Sequence, residues 1–225
     1  MLQLIRFTAT DLSDAWFQAL YNILQYGRIY TIDRGSFVGQ QRLEFDYITI
    51  RIGKPGIRPL LPDIPSHYNI PNPVAEDYLN NYMPYLMTDV VGENEIYTYG
   101  QYLAPQIDTV INMFKNDGYR TNQACMAIGD MYSIDENDPP CLRLIDCRIS
   151  NDALHFIVYF RSNDLWGGLP ANLAAIQMLK EYMAAEIGVQ DGEIIYSSKG
   201  LHLYDYTWDL AKRRCGLEGD TRCLV

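Results

Sequence analysis

Asp138-Pro139-Pro140-Cys141 and Arg161-Ser162-Asn163-Asp164 are the stretches of this chain whose residue types could do chemistry together. Between them lie two strand-like runs, Leu142–Ile149 and Leu154–Phe160, joined at Ser150-Asn151-Asp152. Apolar and β-branched runs closed by a polar turn cluster read as a hairpin. Such a hairpin would bring Cys141 beside Arg161. A thiol becomes a nucleophile when a nearby cation favours its thiolate. A free cysteine is more often buried and inert. Here the Pro-Pro before Cys141 stiffens the backbone that aims its side chain. Cys147 falls on the strand face opposite Leu142 and Leu144. Neither it nor Cys125, Cys215 and Cys223 acquires a functional reading.

Arg161 closes a strand, where an arginine is commonly a solvated charge. Arg161-Ser162 just before a helix is also a phosphate cradle. It offers a forked guanidinium, a hydroxyl and amides near a helix N-terminus. Asp164, taken alone, reads as the N-cap of that helix. Asn172 falls on the helix's apolar stripe with Leu169, Ile176, Leu179 and Met183. A buried amide without a partner costs about 1–3 kcal/mol, so a structural partner or a ligand must satisfy it. Its acceptor and donors can match the N3–H and O4 edge of uracil. His202 and Tyr204 alternate on a strand end and face one side. They are a surface pair or donors to a sugar. Lys199-Gly200 resembles a phosphate loop only weakly. No GxxxxGK[ST], GxSxG or GxGxxG stands in the chain, which excludes P-loop chemistry.

These residues need elements to hold them. Residues 11–26 have the i, i+3, i+4 spacing of an amphipathic helix, with Thr10 as N-cap and Gly27 as stop. Residues 28–52 read as strands with a turn at Asp33-Arg34-Gly35-Ser36. Prolines 55, 59, 62, 65, 71 and 73 make 53–73 a loop, a candidate lid. Helices are expected over 74–88, 102–116, 165–187 and 206–214, with Pro105 in the first turn of the second. A turn is expected at 92–94, and strands over 124–128 and 193–197. With strands set between separated helices, the order predicts an α+β fold over a single domain, residues 1–225.

The chain has 225 residues, 48% of them hydrophobic, enough for a sizeable core. Its net charge of −10 argues against nucleic-acid polymers and anionic membranes, but not against one small phosphate ligand. No apolar run approaches the ~20 residues of a membrane span. Residues 1–6 lack the basic lead and length of a signal segment, so a cytoplasmic protein is expected. Five cysteines without a CxxC pair and three scattered histidines argue against a disulfide framework and a metal site. The 18 tyrosines suit half-buried rim positions, some as hydroxyl donors.

Asp138–Cys141, Arg161–Asp164, Gly168-Leu169-Pro170-Ala171-Asn172 and His202-Leu203-Tyr204, in this order, resemble the thymidylate synthase family, which includes the pyrimidylate hydroxymethylases. Asp33–Ser36 and Tyr99-Gly100 extend the resemblance upstream, and the short archaeal-type members are the nearest likeness. The resemblance implies a mixed sheet covered by helices, with a sheet face forming a homodimer interface. It implies transfer of a one-carbon unit from 5,10-methylenetetrahydrofolate to C5 of dUMP, giving dTMP. Cys141 would be the nucleophile that adds to C6, with Tyr99 in the proton-transfer water network and Glu76 as the catalytic glutamate. Arg34, Arg161 and Ser162 would bind the 5′-phosphate, joined by Arg120 from the other subunit. Asn172 would read the base, His202 and Tyr204 would hold the ribose 3′-hydroxyl, and Asp164 would touch the pterin. Leu142 stands where the family commonly has His, Thr121 follows Arg120, and the short region just before Tyr99 lacks a tryptophan. These departures keep two alternatives open: a uridylate or cytidylate 5-hydroxymethylase, and an inactive nucleotide-binding homologue. The cytosine-specific members carry Asp where Asn172 stands, which favours uracil.

Overall fold

The computed structural model describes residues 1–33, 37–75, 77–91 and 97–219. Strand β1 (Leu4–Ala9) precedes helix α1 (Leu12–Tyr26). Strands β2 (Arg28–Thr31), β3 (Gln41–Glu44) and β4 (Tyr47–Ile52) follow. After the proline-rich loop come α2 (Tyr78–Met87), α3 (Tyr99–Asp117) and β5 (Cys125–Ala127). Then come β6 (Leu142–Ser150), β7 (Ala153–Phe160), the short β8 (Asn163–Asp164) and α4 (Gly168–Ile187). β9 (Gln190–Ser198), β10 (Leu201–Tyr204) and α5 (Trp208–Arg214) complete the described chain. This is the α+β class expected.

Two sheets organise the molecule. One has six strands in the order β1-β4-β9-β7-β6-β5, and the other has four in the order β2-β3-β10-β8. The large sheet is mixed: β1–β4 and β7–β9 run parallel, and its other pairs antiparallel. α4 packs against β7 and β9 and also touches α1, α2 and α3. Leu169, Leu173, Ala174, Ile176, Leu179 and Met183 are all buried along α4. A helix apolar on nearly every side belongs at the centre of a fold. Each such Leu or Ile contributes roughly 1.5–3 kcal/mol by burial. Fully buried Lys180 anchors α4 to β9, its ammonium 3.0 Å from Asp191 and bonded to the Gly192 carbonyl. α4 is therefore a rigid platform for whatever its first turns carry.

Several boundaries differ from expectation for physical reasons. Asp11, not Thr10, caps α1, its carboxylate accepting the Asp14 N–H at 2.9 Å. An anionic cap also gains from the positive end of the helix. Gly27 ends the helix because a Cβ there would lie 2.5 Å from the Ile23 carbonyl oxygen. α3 begins at Tyr99, with Thr98 as cap, so Pro105 lies inside the helix rather than in its first turn. α4 starts only at Gly168, because Asn163 and Asp164 pair with β10 as strand. β1 has no counterpart in the sequence reading. It is an edge strand with Leu4 facing out, which blurs its alternation.

The β6–β7 hairpin forms as expected. Asn151 and Asp152 turn it with φ of 52° and 56°, values that these short polar side chains tolerate. A bulge between Leu142 and Leu144 changes which residues face inward. One extra residue in a strand reverses the facing of everything after it. Leu142, Ile145, Cys147 and Ile149 are therefore buried together. Cys147 shares the core side with Leu142, contrary to plain alternation, and burial holds its thiol well above the usual range.

Candidate active site

The four-stranded sheet supplies the floor of a cleft of about 1610 Å³. Leu43, Leu201 and Leu203 point into the core, so their neighbours point the other way. Register then places Glu44, His202 and Asp164 in one row, with Arg42 and Tyr204 paired in the next. α2, the start of α3 and the segment before β6 form the walls. Cys141, Tyr99, Arg161, Ser162, Asp164, Asn172, His202 and Tyr204 all line this space. Arg120 does not; it lies exposed after α3. Glu76 and Arg34 fall outside the described residues.

Cys141 and Arg161 are neighbours through the backbone, the Arg161 N–H donating to the Cys141 carbonyl at 2.8 Å. The guanidinium folds back over the approach to β6. Nε reaches the Pro139 and Pro140 carbonyls at 3.1 and 3.3 Å, and Nη2 reaches Pro139 and the Asp138 carboxylate. Asp138 is 72% exposed, so this 2.9 Å ion pair is screened by water and readily exchanged for a stronger anion. Burial raises the Cys141 thiol above its ordinary pKa; Arg161 pulls it down and Asp138 pushes it up. Arg161 thus favours the thiolate, as expected, against the burial that raises the pKa. In the ligand-free cleft, desolvation outweighs a cation already paired to a carboxylate.

Tyrosines surround the thiol. The Tyr99 hydroxyl accepts the Leu142 N–H at 3.4 Å, and the Tyr97 hydroxyl faces the Cys141 backbone. Burial pushes Tyr97 up to about 12 and Tyr99 well above the phenol range, so both hydroxyls stay protonated. On α2, Tyr82 stacks between Tyr78 and Tyr85, with ring centroids 5.5 and 5.3 Å apart, and Tyr85 meets Tyr99 edge-on at 5.1 Å. Together they form an aromatic wall on one side of the cleft. Sequence reasoning noted only that tyrosines are many. The signal was their spacing: positions 78, 82 and 85 share one face of a helix.

On the sheet floor, His202 Nδ1 lies 2.9 Å from the Gly200 carbonyl and 3.4 Å from Ser162 Oγ. Donation to a carbonyl places the proton on Nδ1. Burial lowers the His202 pKa, keeping the ring neutral, and buried Nε2 has no partner among the described residues. With the proton on Nδ1, Nε2 is an acceptor. Tyr204 lies beside it, the two rings 4.7 Å apart and edge-on.

Asp164 holds the start of α4. Its carboxylate accepts the N–H groups of Trp166, Gly167 and Gly168 at 3.2, 2.9 and 3.0 Å. Asn172 sits one turn further along, half-buried and facing the cleft rather than the core. Its Oδ1 accepts a short hydrogen bond from the Tyr82 hydroxyl, and its Nδ2 donates to Asn163 Oδ1 at 3.1 Å. One N–H and one oxygen lone pair are left for a ligand. A smaller cavity of about 350 Å³ adjoins this point, lined by Pro73, Val74, Ala75, Tyr78, Tyr82 and the small residues opening α4. Asp164 stands at its edge.

Among the described residues no helix is long and apolar enough to cross a membrane, and no group of acidic, His or Cys side chains is placed to hold a metal.

Comparison with known proteins places this geometry in context. The family model described as thymidylate synthase matches residues 91–219. A protein of Methanosarcina mazei with the provisional name thymidylate synthase is 32% identical over 212 residues, 91% of each chain. A protein of Methanothermobacter marburgensis with the same provisional name is 26% identical over 214 residues, covering 90% of this chain and 94% of its own. A deoxyuridylate hydroxymethyltransferase of Bacillus phage SP01 is 38% identical over 76 residues, 33% of this chain and 20% of that protein. Among solved structures, thermostable thymidylate synthase A from Bacillus subtilis superposes with a TM-score of 0.72 at 16% identity. That match covers 92% of this chain and 84% of the other, and it establishes the fold.

Proposed function

We propose, because this chain belongs to the thymidylate synthase family, that it converts dUMP to dTMP through a covalent bond between Cys141 and C6 of the base. The observation that carries this reading is the convergence of Cys141, Arg161, Ser162, Asn172, His202 and Tyr204 on one cleft. 5,10-Methylenetetrahydrofolate, the co-substrate of the family, would supply the one-carbon unit and, for a methyl product, the hydride. Asp164 and the cavity against α2 would receive it.

Arg161 and Ser162 would take the 5′-phosphate, with Arg34 and a partner subunit's copy of Arg120 completing the cradle. His202 Nε2 would accept the 3′-hydroxyl proton beside Tyr204. Asn172 would meet N3–H with Oδ1 and O4 with Nδ2. These contacts set the pyrimidine over Cys141. Uracil C5 is a poor nucleophile until a thiolate adds at C6, which forms the S–C6 bond and moves the ring π electrons towards C5 and O4. The Cys141 proton leaves in the same stage, since burial keeps the resting thiol protonated. Tyr99 and Glu76 would order the water that carries protons. The tyrosine wall of α2 would keep bulk water from the activated base.

A homodimer through the outer face of the six-stranded sheet fits this reading. That face presents Ile157, 37% exposed, among half-buried Tyr159, Ile195 and Leu144. A single domain over residues 1–225 and a cytoplasmic setting complete it.

A second reading, 5-hydroxymethylation of deoxyuridylate, draws on the similarity to the phage hydroxymethyltransferase. Product analysis separates the two. Incubation with dUMP and methylenetetrahydrofolate is expected to yield dTMP with dihydrofolate; a 5-hydroxymethyl product without dihydrofolate supports the second reading instead.

Base choice gives a further prediction. Asn172→Asp is expected to move preference from dUMP towards dCMP, because a protonated carboxyl can donate to cytosine N3 while its other oxygen accepts from N4. The measurement is kcat/KM for both nucleotides, with a change in their ratio of about tenfold or more. An unchanged ratio removes Asn172 from the base edge.

A further inference from the structure

Asn172 alone does not choose uracil. Uracil presents a donor at N3 and an acceptor at O4; cytosine presents an acceptor at N3 and a donor at N4. A carboxamide rotated by half a turn fits either edge. Selection therefore requires a group that prevents the rotation.

The Tyr82 hydroxyl cannot be that group by itself, since a hydroxyl either donates or accepts. Asn163 can. Its Oδ1, which only accepts, takes the Asn172 N–H at 3.1 Å. Asn163 is 5% exposed, and its own amide is fixed from two sides. Nδ2 donates to the fully buried Tyr196 hydroxyl at 3.3 Å. Oδ1 lies against Gly168, 3.0 Å from where a Cβ would stand, at the positive end of α4. Gly168 leaves room for this approach. Reversing Asn172 would set two carbonyl oxygens against each other.

We propose that Asn163 is the positioning residue that makes this site select uracil over cytosine, by holding the Asn172 amide with Oδ1 and one N–H in fixed order towards the base. The proposal rests on Asn172 as the base-edge contact, and it assigns a specificity role to a residue that acts through Asn172.

The test is equilibrium affinity for dUMP and dCMP in the wild-type protein and in Asn163→Ala and Asn163→Asp. The wild type is expected to favour dUMP. Asn163→Ala is expected to lower the dUMP-to-dCMP affinity ratio about tenfold, chiefly because dCMP binds more tightly. Asn163→Asp keeps an acceptor-only atom against Asn172 and is expected to keep the wild-type ratio. Asn163→Ser, whose hydroxyl donates or accepts, shifts the ratio in the alanine direction and replaces that variant if it does not fold. A merely structural role would weaken both nucleotides equally. Equal weakening, or an unchanged ratio in the alanine or serine variant, overturns the proposal and leaves the base contact standing. A wild-type protein that binds dUMP and dCMP equally also overturns the proposal, since an Asn172 free to rotate would contact either base; the base contact itself falls only if Asn172→Asp leaves the ratio unchanged.

Discussion

Cys141→Ser is expected to reduce turnover of dUMP by about 10⁴-fold or more while changing dUMP affinity only a few-fold. The two effects separate because Cys141 contributes a bond, not a binding contact. Phosphate, sugar and base would each be held by other residues: Arg161 and Ser162, His202 and Tyr204, and Asn172. Serine fits the same space, as the backbone is fixed by Pro139 and Pro140 before it and by the Arg161 N–H on the Cys141 carbonyl. A buried serine hydroxyl is far less acidic than a thiol and cannot become the anion that C6 requires. Single-turnover kinetics alongside equilibrium binding of dUMP reads both quantities. Parallel loss of affinity and rate would mean that the substitution disturbed the cleft rather than the chemistry.

Arg161→Ala is expected to weaken dUMP binding by about 10- to 100-fold, the range for losing charge-assisted hydrogen bonds to a phosphate. Uridine, without the phosphate, should lose little. In the free protein this guanidinium is held by Asp138 and the Pro139 and Pro140 carbonyls, so it is already positioned when a phosphate displaces the exposed carboxylate. The same variant carries a pH prediction. Arg161 lowers a Cys141 pKa that burial raises. Removing the cation leaves the thiol protonated to still higher pH. The rate of Cys141 alkylation by iodoacetamide rises with pH as thiolate forms, and its midpoint should shift upward in Arg161→Ala. An unmoved midpoint would show that Arg161 does not act on the thiol, and undiminished dUMP affinity would remove it from the phosphate cradle.

The parts of this site that were legible from the chain are those fixed by short-range rules. The β6–β7 hairpin follows from two apolar runs around an Asn-Asp turn, and it alone brings Cys141 to Arg161. His202 and Tyr204 share a face because strand side chains alternate. Asp164 does not cap α4, which starts at Gly168 after Gly167, but its carboxylate accepts the amides leading into that helix. What was not legible depends on partners distant in the chain. Asn172 looked like a core residue by helical period, yet α4 is buried on nearly all sides and its first turns face the cleft. Its partner Tyr82 lies 90 positions away, a contact no local pattern encodes. Asn163 was read only as part of a motif, because its meaning comes from Tyr196 and Gly168 rather than from its neighbours. Cys147 was misplaced by a single bulge, which sequence alternation does not register.

The central claim is that the Cys141 thiolate adds to C6 and that C5 then takes up a carbon. Its most direct test is intact-mass measurement of the protein incubated with 5-fluoro-dUMP and methylenetetrahydrofolate. Fluorine at C5 cannot leave as a proton does, so the reaction should halt with nucleotide, one-carbon unit and protein joined covalently. The account predicts one such adduct per chain, located on Cys141 by peptide mapping and absent in Cys141→Ser. Nucleotide bound tightly with no covalent adduct, or an adduct on any other residue, would contradict it.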